Sequence, residues 1–292
     1  MRLTATSETY ETYAQQLWAD GLCLIPKVLN SEDIGELREI AHAARGSHTG
    51  QSFPRDSYSG LVTDVSDLPE LSAMIGRPGL YALLKAFGCK DPRWFMGFLI
   101  QKPPGGGPLY WHQDWWGWSH SISYKPAPPL VFLMLYLQDV DQANGCLRLL
   151  PGSHRTGHPL HEEAALSNFL AFSGGSGHPL LRDYPGEIDV PAKAGDLLIR
   201  DARVLHATHR NRTLAWRALL LLSFVPAMAL LPESIQRMVE IKRPKLEKIW
   251  PVEHWSRIAP RVATYCGSAL PIEICRRPVA HAFMQHPKNG AH

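Results

Sequence analysis

Paired cysteines, long apolar runs and a marked excess of charge of either sign are all missing from this sequence. Its five cysteines, Cys23, Cys89, Cys146, Cys266 and Cys275, are odd in number and widely scattered. They set up neither a disulfide framework nor a metal-binding spacing. No segment approaches the roughly 20 consecutive apolar residues that span a bilayer, and Met1 to Glu8 offers no apolar signal core, so a cytoplasmic location is the expectation. The net charge of +3, from 30 Lys and Arg against 27 Asp and Glu, is too small to argue for nucleic acid or membrane as partner. What remains, 45% hydrophobic and 20% charged residues in a chain of 292, is the balance of a globular protein with one large core.

The chain is ordered along its length. Helices are expected over Ser7 to Trp18 and Ser31 to Ala44, the second because Ile34, Leu37, Ile40 and Ala41 recur at helical spacing behind Ser31. Leu130 to Leu137 is continuously apolar and follows a cluster of Pro126, Pro128 and Pro129, the pattern of a strand covered on both faces. Between Thr156 and Glu187 the composition turns polar and Gly-rich, which reads as an insertion or flap over a site mouth. Pro232 to Val239 reads as a helix after the last core strand, and the basic run Lys242 to Lys248 as a solvated face. One domain is expected over 1–292, with a helical part over 1–90, a β core over 91–228 and a tail over 229–292.

Chemistry concentrates in Tyr110-Trp111-His112-Gln113-Asp114-Trp115. In a strand, residues i and i+2 project to one face, so His112 and Asp114 would aim inward together while Gln113 aims out. Two imidazoles and one carboxylate on one side of an iron leave its other positions open for cosubstrate and oxygen. His206 can complete the set, at the end of the strand-like run Gly195 to His206 and ahead of the polar cluster His209-Arg210-Asn211-Arg212-Thr213. With 14 histidines, accidental triads are numerous, and His-x-Asp alone reads as well as a polar pair on a surface strand. Arg217, 11 positions after His206, opens an apolar strand that returns as a hairpin or crosses to a facing sheet about 10 Å away. Its planar guanidinium could bind one end of a small dicarboxylate, or cap the strand end at solvent. On position alone the two readings carry similar weight.

Four motifs stand in sequence around these residues. They are Asp20 to Pro26 with Leu29-Asn30-Ser31-Glu32-Asp33-Ile34; the block from Lys102-Pro103-Pro104-Gly105 to Trp118; Asn144-Gly145-Cys146-Leu147 with Pro151-Gly152-Ser153-His154; and Gly195-Asp196 followed by His206-x-Thr208-x-x-Asn211-x-Thr213-x-x-x-Arg217. In kind and order they resemble the phytanoyl-CoA dioxygenase family of iron(II)- and 2-oxoglutarate-dependent oxygenases. The resemblance covers most of the chain.

It implies a mainly β fold with flanking helices, built on a double-stranded β-helix, a jelly-roll or cupin-like core. It also implies that His112, Asp114 and His206 ligate iron(II). His209 is the competing third ligand, but only His206 keeps the family's interval to Arg217. Arg217 would bind the distal carboxylate of 2-oxoglutarate, Thr208 would donate to the same carboxylate, and Gln101 or its neighbours on the preceding strand would touch the cosubstrate, the Gly105-Gly106-Gly107 loop leaving the register open. Trp118 stands where a branch of the family also carries a Trp, and His154 belongs to a structural turn. The implied reaction consumes O2 and converts 2-oxoglutarate to succinate while oxidising a small, largely apolar metabolite, with hydroxylation as the first expectation. Desaturation, epoxidation and ring-forming oxidation use the same cofactors. Halogenation is disfavoured, because halogenating relatives give up the carboxylate ligand that Asp114 keeps. Trp115 and Trp118 are candidates for the substrate pocket, although each could be core. Arg148 could bind a substrate carboxylate or pair with a structural acid. Two readings from other classes stand beside this one, a non-catalytic jelly-roll binding protein and a zinc hydrolase.

Overall fold

The computed structural model describes residues 7–46, 51–52, 60–163, 178–240, 243–278 and 283. Helices α1 (Ser7–Asp20) and α2 (Ser31–Gly46) flank β1 (Leu22–Ile25); β2 (Gln51–Ser52) and β3 (Leu61–Asp64) lead through α3 (Ser72–Ile75) and α4 (Pro78–Ala86) to the long β4 (Arg93–Lys102). Then come β5 (Leu109–His112), β6 (Val131–Tyr136), β7 (Leu147–Leu149), β8 (Ile188–Val190), β9 (Leu197–Asp201), β10 (His206–Thr208) and β11 (Arg217–Val225), followed by α5 (Glu233–Glu240), α6 (Arg243–Ile249) and α7 (Val252–Ile258). Seven strands in the order β1-β9-β6-β11-β4-β3-β2 form a major sheet, and β5-β10-β7-β8 form a minor one. These strands pair antiparallel. Two such sheets face to face make the jelly roll.

Alternation along the strands sorts the major sheet's side chains into two layers. Val131, Leu133, Leu135, Leu197, Ile199, Leu220 and Leu222 pack with Leu17, Leu37, Leu80 and Leu84 of the helices. Phe132, Met134, Leu198, Leu219 and Leu221 fill the space between the sheets with Leu147 and Leu149. Strand β6 is buried at every position, which is why its sequence is continuously apolar: helices cover one face and a second sheet the other. Each fully buried Leu or Phe of this kind contributes about 1.5–3 kcal/mol.

The run from Gly195 to His206 does not form one strand. β9 ends at Asp201 in the major sheet, β10 begins at His206 in the minor sheet, and the residues between cross from one to the other. A buried ion pair holds the crossing. Arg203 Nη2 and Nε donate to the Asp201 carboxylate at 2.6 and 3.0 Å, and its Nη1 donates to the Lys125 and Ser123 carbonyls at 2.6 and 3.0 Å. The Leu205 amide donates to Ser153 Oγ at 2.8 Å, so the Pro-Gly-Ser-His turn supports the start of β10, while His154 Nε2 sits 3.1 Å from the Trp18 carbonyl.

From β10 the chain crosses back to the major sheet at β11, rather than making a hairpin. Asn211 braces that return by donating to the Ala215 and Pro103 carbonyls at 2.7 and 3.0 Å. The expected N-terminal helices and the helix after the core correspond to α1, α2 and α5. The centre of the expected flap, 164–177, lies outside the described residues. Among the described residues no helix is long and apolar enough to cross a membrane.

Candidate active site

Strands β5 and β10 are neighbours in the minor sheet, with His112 opposite His206 and their ring centroids 4.0 Å apart. Asp114 does not share β5 with His112, contrary to the alternation argument. The strand ends at His112, and the Asp114 and Trp115 amides both donate to the Ala202 carbonyl at 2.9 Å, which brings the carboxylate round to face both rings. Asp114 Oδ1 lies 3.8 Å from His112 Nε2, and Oδ2 lies 3.5 Å from His206 Nε2. One donor atom from each of the three residues falls within 4.8 Å of the others. The Nδ1 atoms of His112 and His206 reach the Tyr110 and Val204 carbonyls at 2.9 and 3.1 Å, which turns Nε2 of each ring toward Asp114. Two imidazole nitrogens and one carboxylate oxygen on one side suit non-heme iron(II). The donor set therefore fits that metal.

The charges suit a metal as well. Burial lowers the pKa of His112, and burial reinforced by Arg200 takes His206 well below its ordinary value, so both rings are neutral, the form that can hold a metal. Burial alone would raise Asp114, but Arg200, His206 and His112 outweigh it and hold the carboxyl well below the usual range. Arg200 is a residue that sequence reasoning missed. It lies on β9 with a side chain only 1% exposed, its Nη2 on Asp114 Oδ2 and its Cζ 4.9 Å above the Phe132 ring. Its Nη1 lies 3.2 Å from His206 Nδ1 and competes there with Val204; coordination through Nε2 requires the Val204 partnership. The signal for Arg200 was parity, since Leu198 faces the barrel interior and the residue two further on must do the same.

Beyond the triad lies a cationic anchor. Lys102 and Arg217 are opposite each other across the β4–β11 ladder, and both are buried. Lys102 Nζ donates to Thr208 Oγ1 at 2.7 Å and to the His209 and Gly107 carbonyls at 2.6 and 3.0 Å, while Arg217 Nη2 donates to the Gly145 carbonyl at 2.7 Å. Burial, and after it the Arg217 guanidinium, hold the Lys102 ammonium well below its ordinary pKa. Two buried cations side by side are costly unless an anion joins them. Thr208 Oγ1 accepts from Lys102 and from the Leu109 amide at 3.2 Å, which leaves its own proton to donate. Thr208 is two residues beyond His206 on β10, a rise of about 7 Å, and that separation suits a five-carbon dicarboxylate.

Gln101 is a correction. It pairs with Ala218, and Ala218 belongs to the layer under the helices, so Gln101 faces away from the barrel interior while its neighbour Lys102 faces into it. Gly145 of the Asn-Gly-Cys-Leu motif has a positive φ of 93°, and a Cβ there would meet the His209 carbonyl at 2.9 Å and Lys102 Cδ at 3.1 Å. Only glycine serves at that close approach.

The other candidates separate. Arg148 makes the structural pairing and not a pocket contact: it donates to Glu187 Oε1 and Oε2 at 2.6 and 2.7 Å and to Asp183 at 2.5 Å, with Trp111 5.2 Å from its Cζ. Trp115 is core, its Nε1 donating to Ser123 Oγ at 2.7 Å and its ring stacked on Trp116. Trp118 is buried with an indole N–H that has no acceptor among the described residues, beside the rings of Tyr124, Phe283 and His161. His209 is not the third ligand, for its Nε2 meets Asp189 Oδ1 at 2.6 Å.

Similar architecture is found in EctD from S. alaskensis, solved with 2-oxoglutarate and 5-hydroxyectoine, at a TM-score of 0.56 and 19% identity over 78% of this chain and 79% of that one. It is found also in HygX from Streptomyces hygroscopicus, solved with nickel, 2-oxoglutarate and hygromycin B, at a TM-score of 0.52 and 22% identity over 73% and 86%. These likenesses show the fold. The class is that of iron(II)- and 2-oxoglutarate-dependent dioxygenases. The family model for phytanoyl-CoA dioxygenase (PhyH) matches residues 18–219, and the chain belongs to that family. The ectoine dioxygenase of Nocardia farcinica is 26% identical over 70% of this chain and 74% of its own length. The peroxisomal phytanoyl-CoA dioxygenase of Mus musculus is 24% identical over 56% of this chain and 48% of its own, so the chain spans about half the length of that relative.

Proposed function

We propose that this protein couples oxidative decarboxylation of 2-oxoglutarate to succinate with hydroxylation of a small, largely apolar metabolite, and that His112, Asp114 and His206 hold its iron(II). The observation that carries the reading is the triad together with a buried Lys102–Arg217 pair whose Lys102 holds Thr208, two strand positions beyond His206. Iron bound there would supply the activation of oxygen. Lys102 and Arg217 neutralise the distal carboxylate of 2-oxoglutarate, and Thr208 donates its hydroxyl proton to the same group. This anchor has no task in a zinc hydrolase. Asp114, with a side chain 23% exposed against 5% for each histidine, marks the open side of the centre. Trp118, Tyr124 and Phe283 form an aromatic cluster, which as a wall of the substrate pocket would suit an apolar substrate. In that place the Trp118 indole N–H, without an acceptor among the described residues, would donate to cosubstrate or substrate.

The test is succinate release across a panel of small metabolites with iron(II) and oxygen supplied. Asp114→Ala should abolish release while circular dichroism shows the fold retained. Release unaffected by Asp114→Ala would remove the triad from the reaction.

A further inference from the structure

Three more metal-type donors converge away from the triad. The Cys146 thiol, the Asp189 carboxylate and the His209 imidazole present ligand atoms that all lie within 4.8 Å of one another. The ladder of the minor sheet brings them together. Thr208 pairs with Leu147, and one step further the His209 amide donates to the Cys146 carbonyl at 3.1 Å. Asp189 enters from β8, where it lies opposite Arg148. Its Oδ1 sits 2.6 Å from His209 Nε2 and orients the ring. Exposure rises from buried Cys146 through His209, 18% exposed in its side chain, to Asp189 at 39%, so the donors run from the interior to solvent and leave an entry path. The reaction proposed above uses none of them.

We propose that Cys146, Asp189 and His209 form a second divalent-metal site, of the thiolate, imidazole and carboxylate type that takes zinc or cobalt(II), with water in the fourth position. Three protein ligands and an open position are a common zinc arrangement, and the mixed sulfur, nitrogen and oxygen donors suit zinc better than magnesium or calcium. Metal–ligand bonds of about 2.0–2.3 Å set tetrahedral donors roughly 3.3–3.7 Å apart, so His209 Nε2 and Asp189 Oδ1 must part from their 2.6 Å hydrogen bond as the ion replaces the shared proton, with the Cys146 sulfur, within 4.8 Å of both, closing on it. The thiol proton leaves to solvent on binding. Burial, then Asp189, push that thiol up to about 11, against the Val190 amide on its sulfur, and two positive charges on the ion reverse the balance. Gly145, the residue before Cys146, carries the carbonyl that holds Arg217, so occupancy would brace the turn beside the 2-oxoglutarate anchor.

The inference is independent of the iron centre and can be tested without it. The double variant His112→Ala/His206→Ala removes the triad's imidazoles. Titrated with cobalt(II), it should bind one ion per chain and develop a thiolate-to-cobalt charge-transfer band in the near ultraviolet. Adding Cys146→Ser should abolish that band, and adding His209→Asn, a partly exposed position that spares the core, should weaken cobalt affinity at least tenfold. No bound cobalt in the double variant would overturn the site. So would a band that survives Cys146→Ser, since it would then arise from Cys266 or Cys275, and so would unchanged affinity in His209→Asn.

Discussion

Arg200 limits what the Asp114 carboxylate can give to a metal. Its Nη2 holds Oδ2, so Oδ1, on the His112 side, is the oxygen left free of Arg200, and in the proposed iron site it would be the coordinating one. Partners of this kind typically change metal affinity 10–100-fold when removed. Arg200→Met, which keeps the length and loses the donors, should weaken iron(II) binding by about that factor, measured anaerobically by competition with a chelator; unchanged affinity would count against the role. At the other end of the site, Lys102→Met should raise the KM for 2-oxoglutarate about tenfold or more, equivalent to about 1.4 kcal/mol, with a smaller effect on kcat. An unaltered KM would place the anchor elsewhere. The grouping of His112, Asp114 and His206 and the inward place of Arg217 came from the family resemblance, because spacing alone left a surface pair and a solvent-facing Arg217 equally open. Lys102 was covered only as a neighbour of Gln101, and in a strand a shift of one position moves every side chain to the opposite face. Nothing in Gly105-Gly106-Gly107 pins the register; the pin is the Lys102–Arg217 pairing, which only the folded sheet reveals.

The turn between β9 and β10 decides whether His206 reaches the site. An apolar pattern predicts a strand but carries no mark of which sheet it joins, and the Gly195 to His206 run therefore read as one element. The mark is Asp201-Ala202-Arg203, whose charged residues are buried and clasp each other where the chain changes sheets. By contrast, β6 and the N-terminal helices were readable, because burial on two faces or one stripe leaves a direct periodicity. Asp201→Ala would leave Arg203 buried without its counter-charge, at a cost of about 3–5 kcal/mol. Urea unfolding should show that loss, and iron(II) affinity should fall with it as His206 loses its support. Replacing both partners, Asp201→Ala with Arg203→Met, should recover much of the stability, since a buried pair exchanged for apolar groups is often close to neutral. A loss under about 1 kcal/mol in the single variant, well below the usual penalty, would show that the turn is held by other means.

Across the whole molecule the histidines set a common response to acid. Sequence shows 14 of them and cannot say which are buried; the fold buries His112, His154, His161 and His206, and each has a lowered pKa with burial as the leading cause. His161 is the clearest case outside the iron centre. Its Nδ1 accepts the His158 amide at 3.2 Å, its ring stacks on Phe283, and burial followed by His158 pushes it down to about 3. An unfolded histidine titrates near 6.5. Between those values the unfolded chain holds a proton that the folded chain lacks, so stability is full above about 6.5 and is lost as pH falls toward the folded pKa. For one such group the slope is about 1.4 kcal/mol per pH unit. His161→Gln keeps an acceptor for the His158 amide and removes the titration. In metal-free protein unfolded by urea at pH 6 and pH 5, this variant should lose about 1 kcal/mol less stability over the interval than the parent. Equal losses would mean that His161 takes up its proton while the chain is still folded, and the acid response would then have to come from the other buried imidazoles.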